Sequence, residues 1–249
     1  MKIEIVGKTD KGKVRNVNQD NFRIERLGKQ TYACVVCDGM GGIRGGSEAS
    51  CIAAVSFMVC LKRLCAQEPQ ETTKNLLTRS LNEANTAVYS FASLHPELDG
   101  MGTTLVAFLL KDGNLTWINV GDSRLYAAND ESLVQISNDH SLVEEMIKNG
   151  MLTPEEAENA PMKNVITRAV GVAEIVEADV NEIANVFEQY SYVLLCSDGL
   201  TNMTGHDAIH EILTAKSSTG KKIDKLFASA NASGGYDNIT AVLLSVSEK

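Results

Sequence analysis

Three apolar runs in this chain stop on a carboxylate. Val35-Val36-Cys37 ends at Asp38, Ile118-Asn119-Val120-Gly121 at Asp122, and Val193-Leu194-Leu195-Cys196-Ser197 at Asp198. Two more acids, Asp237 and Asp20, stand just ahead of apolar segments. A charge at the mouth of a buried strand is costly unless something positive meets it. If these ends share one edge of the fold, their mutual repulsion must be answered by cations. The set contains no His or Cys, so its oxygen donors select a hard ion, Mg2+ or Mn2+, over Zn2+. Gly39 lets its own carbonyl approach as a further ligand. Two such ions about 4 Å apart activate a bridging water and clamp phosphate oxygens during in-line displacement. Arg15, five residues before Asp20 in a polar segment, has the planar fork to grip that phosphate. Each signal alone has a plainer meaning. Asp38-Gly39 also reads as a tight hairpin turn, and Arg15 as a solvated surface side chain.

The elements that must position these groups follow from periodicity. Ile3 and Ile5, then Phe22 and Ile24, alternate with polar neighbours and predict two half-buried strands around the polar segment 8 to 20. Residues 31 to 37 lose the alternation and predict a strand buried on both faces. Ser47 is a candidate N-cap for an interior helix to about residue 66. From 71 to 94, Leu77, Leu81, Ala84, Val88 and Phe91 fall three or four apart, which predicts a helix with one apolar stripe. Four short segments, 103 to 110, 115 to 120, 124 to 128 and 133 to 136, are separated by turn residues and predict an antiparallel meander. Residues 141 to 168 form a polar helical excursion of the kind that serves as a flap, with Thr153-Pro154 opening its second helix. A strand over 192 to 196, helices over 206 to 215 and 223 to 232, and a strand over 239 to 246 complete the chain. This order is not the regular alternation of a doubly wound sheet. It predicts an α+β fold with two mainly antiparallel sheets and helices outside them.

Composition narrows the function. In 249 residues, 23 Lys and Arg against 32 Asp and Glu give a net charge of -9, which disfavours nucleic acid or an anionic membrane as the main partner. The six cysteines lie inside apolar runs, as buried free thiols do, with no secretory leader ahead of them. A cytoplasmic location is the expectation. Cys34 and Cys37 have C-x-x-C spacing but no second ligand pair follows, and on a strand they face opposite ways. The longest apolar stretch, 51 to 60, is too short to span a bilayer. The cluster of glycines from 39 to 46 fails both nucleotide-loop spacings. His206-Asp207-Ala208-Ile209-His210 lacks the glutamate and third ligand of a zinc protease, and Lys221-Lys222 reads as a solvated pair.

Seven motifs in order now make a resemblance. They are Arg15-x-x-Asn18-Gln19-Asp20, Asp38-Gly39-Met40-Gly41-Gly42, Gly102-Thr103-Thr104, Val120-Gly121-Asp122-Ser123-Arg124, Asp139-His140-Ser141, Ser197-Asp198-Gly199-Leu200 and Gly235-x-Asp237-Asn238-Ile239-Thr240. Together they resemble the metal-dependent PPM/PP2C protein phosphatases, most nearly the compact bacterial branch, over nearly the whole chain. The resemblance implies a single domain over 1–249, an αββα sandwich with helix pairs outside, and hydrolysis of phosphoserine and phosphothreonine in proteins. It implies two Mn2+ or Mg2+ ions, with Asp38 as their bridge, Asp198 and Asp237 on one and the Gly39 carbonyl on the other. It also implies Asp20 acting through metal-bound water, Arg15 gripping phosphate, and Asp122 with Asp198 holding a third ion. A cognate Ser/Thr kinase and a monomeric state complete the expectation. A non-catalytic phosphoprotein-binding module and a phosphatase of small metabolites are the alternatives. The chain departs from the pattern at Met40, where eukaryotic members carry His, and at Ile43, where many bacterial members do. It departs again at Ala160-Pro161-Met162-Lys163-Asn164, in place of His-Pro-x-Arg-Asn.

Overall fold

The first three strands of the computed structural model are β1 (Lys2–Asp10), β2 (Asp20–Arg26) and β3 (Thr31–Met40), followed by helices α1 (Gly42–Gln67) and α2 (Thr73–Leu94). The structure describes residues 2–158 and 160–247. The side chains of 42–44, 154, 158 and 247 lie outside that set, Ile43 among them. Next come β4 (Gly102–Thr103), β5 (Leu105–Lys111), β6 (Asn114–Val120), β7 (Arg124–Ala128) and β8 (Leu133–Gln135), then short helices α3 (Leu142–Lys148) and α4 (Pro154–Glu158). The rest is β9 (Asp179–Ile183), α5 (Val186–Gln189), β10 (Tyr192–Cys196), α6 (Asp198–Thr201), α7 (His206–Thr214), α8 (Thr219–Ala232) and β11 (Ile239–Ser247).

Two antiparallel sheets form. One has the order β2-β3-β5-β6-β9, with β4 added to β3, and the other β1-β11-β10-β7-β8. Strand alternation explains how they stack. In β3, Ala33, Val35 and Cys37 face α1 and α2, while Cys34 and Val36 face the other sheet. Phe108 and Trp117 meet Leu195, Val242 and Leu244 between the sheets. Beyond the second sheet, Leu194, Ala241 and Leu243 pack under Ile209, Leu226 and Phe227 of α7 and α8. Four layers, helix pair, sheet, sheet and helix pair, therefore enclose three apolar seams. Each fully buried Leu or Phe in them contributes roughly 1.5–3 kcal/mol.

Several expectations are corrected. The 103–136 meander is two separate hairpins, because β5 and β6 lie in one sheet and β7 and β8 in the other. The chain crosses between sheets at Gly121-Asp122-Ser123, and the left-handed Gly121 (φ 99) makes that step. The strand of residues 31 to 37 does not stop there. It runs on through Asp38 to Met40, with Gly39 opposite Thr103 on β4, so Asp38-Gly39 is not a turn. Helix α1 starts at Gly42, capped by Gly41, rather than at Ser47. Its 45–67 stretch would pass for a membrane span by length and composition, longer than the 51–60 run suggested. However, Ala49, Ala53, Phe57 and Leu61 bury its inner face in the core.

The six cysteines are free. Burial pushes the Cys34 and Cys37 thiols well above their usual range, which leaves them inert. Lys222 is not solvated: it is 3% exposed and donates to the Leu213 and Ala215 carbonyls at the end of α7. His206 and His210 reach the Leu133 and Asn129 carbonyls, each at 3.0 Å, and so tie α7 to the β7–β8 hairpin.

Candidate active site

The sheets end together at one pole. Asp38 lies on β3, Asp122 at the crossing after β6, Asp198 at the first turn after β10, and Asp237 just before β11. All four line one cavity of about 410 Å3 with Arg15, Gly39, Met40 and Thr104. Asp20, the first residue of β2, is the register partner of Asp38 across the strand pair. Like charges so placed destabilise a sheet. The five acids singled out by their spacing are therefore brought together.

Neighbouring polar groups fix these acids from behind. The Asp38 N–H donates to Thr104 Oγ1 at 2.9 Å, and its carbonyl accepts from Thr104 N at 2.9 Å and Thr103 Oγ1 at 2.8 Å. Thr104 Oγ1 in turn lies 2.7 Å from Ser123 Oγ, which joins the strand to the crossing loop. Ser197 Oγ donates to Asp20 Oδ2 at 2.7 Å and accepts from Thr240 N at 3.0 Å. Asn238 fastens the polar N-terminal segment: it accepts from Gln19 N and donates to the Lys11 and Val17 carbonyls. Thr104, Ser197 and Asn238 belong to quoted motifs, but their supporting work depends on partners far away in sequence. A side chain on Gly39 would collide with the Gly46 carbonyl, so glycine is what lets α1 start against β3.

Crowding shows in the electrostatics. Asp20 is 4% exposed, and burial lifts its pKa to about 6. Burial, then Asp198 and Asp139, lifts Asp122 to about 7. Asp38 is pushed well above the carboxylate range by burial and by Asp20, Asp198, Asp122 and Asp237. Asp198 is raised by burial and Asp237. These shifts express one unfavourable fact, a concentration of negative charge that a divalent cation relieves.

The residues fit such an ion. Every donor is an oxygen, as Mg2+ and Mn2+ prefer, and the buried Asp20 Oδ1 has no hydrogen-bond partner. Among the described residues no three acidic, His or Cys side chains already close a ligand sphere. Water and backbone oxygen must therefore complete it, as is usual for Mg2+.

Arg15 is at the cavity, though not free. Its Nη2 donates to Asp237 Oδ2 at 2.8 Å, and the guanidinium is half-exposed. The excursion reaches the same place: Ser141 bridges to Ile166 at its base, and Asn164 and Ile166 line the cavity opposite the acids. Met40 lines the wall of the cavity.

Comparison with known proteins agrees with this geometry. The family model described as Protein phosphatase 2C matches residues 10–244. The serine/threonine phosphatase stp of Listeria welshimeri is 38% identical over 237 residues, 95% of this chain and 93% of that protein. Among solved structures, serine/threonine phosphatase Stp1 from Staphylococcus aureus superposes with a TM-score of 0.90 at 31% identity, covering 100% of this chain and 96% of that one. The catalytic domain of the phosphatase PstP, in complex with 2 manganese ions, superposes with a TM-score of 0.81 at 31% identity, covering 99% of each chain.

Proposed function

This chain belongs to the protein phosphatase 2C family, and on that premise we propose that the acid-lined cavity is where it works as a serine/threonine phosphatase with two Mn2+ or Mg2+ ions. One observation carries the assignment: acids from five separate strand ends meet at one pole, and the buried Asp20 Oδ1 is left unpartnered. Asp38, whose pKa is raised by burial and by all four of the other acids, is assigned as the residue that would serve both ions. Asp198 and Asp237 hold one of these and the Gly39 carbonyl the other, while Asp122 with Asp198 forms a third subsite. When bound, the ions polarise the phosphoryl group and supply a water that is nucleophilic at neutral pH.

The chain's own side chains do the rest. Arg15 keeps one N–H on Asp237 and turns the others of its five-donor fork to the phosphate, which orients the phosphoryl group for in-line attack. Asp20, with the one unpartnered oxygen, would take the proton released at that attack on its Oδ1. The imidazole of eukaryotic relatives is replaced by Met40, so no side chain at that position protonates the leaving serine or threonine oxygen. Solvent in the cavity does so.

We assign residues 1–249 to one catalytic domain, with 141–168 as a flap over the cavity. Its substrates are Ser/Thr-phosphorylated proteins supplied by a cognate kinase. Action as a cytoplasmic monomer is supported by the net charge of -9 and by the free thiols. Purified chain with Mn2+ is expected to hydrolyse a phosphothreonine peptide and an aryl phosphate, and to stop in chelator. A folded, Mn2+-loaded chain that hydrolyses neither refutes the reading. Faster turnover of phosphometabolites than of phosphopeptides refutes the substrate class.

A further inference from the structure

His140 is buried at 5% exposure beside the site, without lining the cavity. It holds both backbone groups of one residue. The Gly121 N–H donates to His140 Nδ1 at 3.2 Å, and the His140 N–H donates to the Gly121 carbonyl at 3.0 Å. Gly121 is the left-handed residue at the sheet crossing, and the next residue is Asp122. On its other side His140 meets the base of the flap. Its carbonyl accepts from Thr167 N at 2.8 Å, and its Nε2 lies 3.3 Å from Arg168 Nη1 and 3.4 Å from Asp179 Oδ1. Arg168 Nη1 also donates to Asp179 Oδ1 at 3.3 Å, and Asp179 sits opposite Asn119 on β6. Burial and Arg168 hold the pKa of the ring below its usual value. With Nδ1 accepting, its proton is on Nε2, facing Asp179.

We infer that His140 is a positioning residue for the phosphatase reaction: through Gly121 it sets Asp122 at the cavity, and through Thr167 and Arg168 it ties that setting to the base of the 141–168 flap. The physical reason is the absence of slack. A glycine at φ 99 has a wide conformational range; here its N–H is held by the His140 imidazole and its carbonyl by the His140 backbone N–H and by Asn119 Nδ2 at 3.2 Å. A packed ring with no acceptor would fill the space and free the Gly121 N–H. Asp122 would then lose its fixed direction while the fold stayed intact. The inference rests on Asp122 serving a metal subsite, as assigned above.

The test compares wild type, His140→Phe, His140→Asn, Asp122→Ala and the double variant His140→Phe/Asp122→Ala. The readouts are thermal unfolding in chelator, calorimetric titration with Mn2+, and kcat and KM on a phosphothreonine peptide. His140→Phe is expected to weaken the weakest Mn2+ step about tenfold, as losing an outer-shell partner commonly does. It should lower kcat with little change in KM. His140→Asn, whose amide oxygen replaces Nδ1 as acceptor, should restore both. The double variant should be no worse than Asp122→Ala, because the two changes act through one group. Losses that multiply in the double variant overturn the inference, as does a folded His140→Phe with an unaltered Mn2+ isotherm. If His140→Phe does not fold, a folded His140→Asn that binds Mn2+ tenfold more weakly overturns it instead. A wild-type chain that binds Mn2+ but cleaves no phosphopeptide contradicts the functional reading alone, and the calorimetric comparison still decides His140.

Discussion

Asp-Gly occurs four times in the chain, and the two copies at Asp112 and Asp38, at opposite poles of the sandwich, behave in opposite ways. At one pole Asp112-Gly113 closes the β5–β6 hairpin between the paired residues Lys111 and Asn114, with φ 51 and φ 86. This is the left-handed, two-residue turn that such a dipeptide favours. Asp112 is exposed there, on the rim of a cavity of about 500 Å3 walled by Tyr32, Leu110 and Phe187. At the other pole Asp38-Gly39 stays in its strand, and the acid faces Asp20 and three more carboxylates. The dipeptide does not decide its own role. The decisive difference is whether neighbouring strands end at the same level with charges of the same sign.

Four substitutions and one titration can break or sharpen this contrast. The largest effect is expected from Asp38→Asn, which should reduce turnover by more than about a thousandfold, as loss of several kcal/mol of metal-based stabilisation requires. Circular dichroism should show the fold retained, and an active Asp38→Asn chain would mean that the bridge is elsewhere. Gly39→Ala comes next. Its new methyl group meets the Gly46 backbone, which cannot move aside like a side chain, so a loss of about 3 kcal/mol or more in denaturant unfolding is expected.

The third effect is a pH dependence. Asp20 and Asp122 titrate near 6 and 7 in the folded chain, against 3.8 ordinarily. Between those values the folded, metal-free protein holds more protons than the unfolded one. Its stability should therefore fall as pH rises from about 4 to 7. Saturating Mn2+ should reverse the slope, because metal binding needs the ionised acids. A melting temperature in chelator that climbs over this range would contradict the crowding.

At the opposite pole the effects shrink. Gly113→Ala meets no atom within 4 Å but must adopt φ 86, so a loss of about 1 kcal/mol with unchanged kcat is expected. Asp112→Asn, in a turn where Asn is equally at home, should change stability by less than about 0.5 kcal/mol.

Local chemistry explains what could be read from sequence. Thr153 accepts from the Glu156 N–H where α4 begins at Pro154, as its type and spacing predict, and β7 and β10 begin and end where their apolar runs do. The acids announced themselves because a charge after Val-Val-Cys or Leu-Leu-Cys is out of place unless partnered. Pairing across long distances was hidden. Nothing near Gly121-Asp122-Ser123 distinguishes a hairpin turn from a crossing between sheets, because the neighbours that decide it are β5 on one side and β10 on the other. Strand β9, reading Asp-Val-Asn-Glu-Ile, has too little apolar patterning to declare itself and exists because β6 offers an edge. The Arg15–Asp237 pair joins residues that no window along the chain contains together.

The pairing of β1 with β11 has a consequence for how the enzyme comes into being. These strands stem from opposite ends of the chain, yet they lie side by side from Lys2 opposite Ser247 to Asp10 opposite Ile239. Strand β10 reaches the rest of its sheet on that side only through β11, and Asp237 arrives with the same segment. During synthesis the first sheet and its helices can assemble early, while the acid-lined pole waits for Asp237 and β11 to leave the ribosome. Contacts of this sequence separation form late and slowly. A nascent copy is therefore silent towards phosphoproteins until Asp237 and β11 have been made.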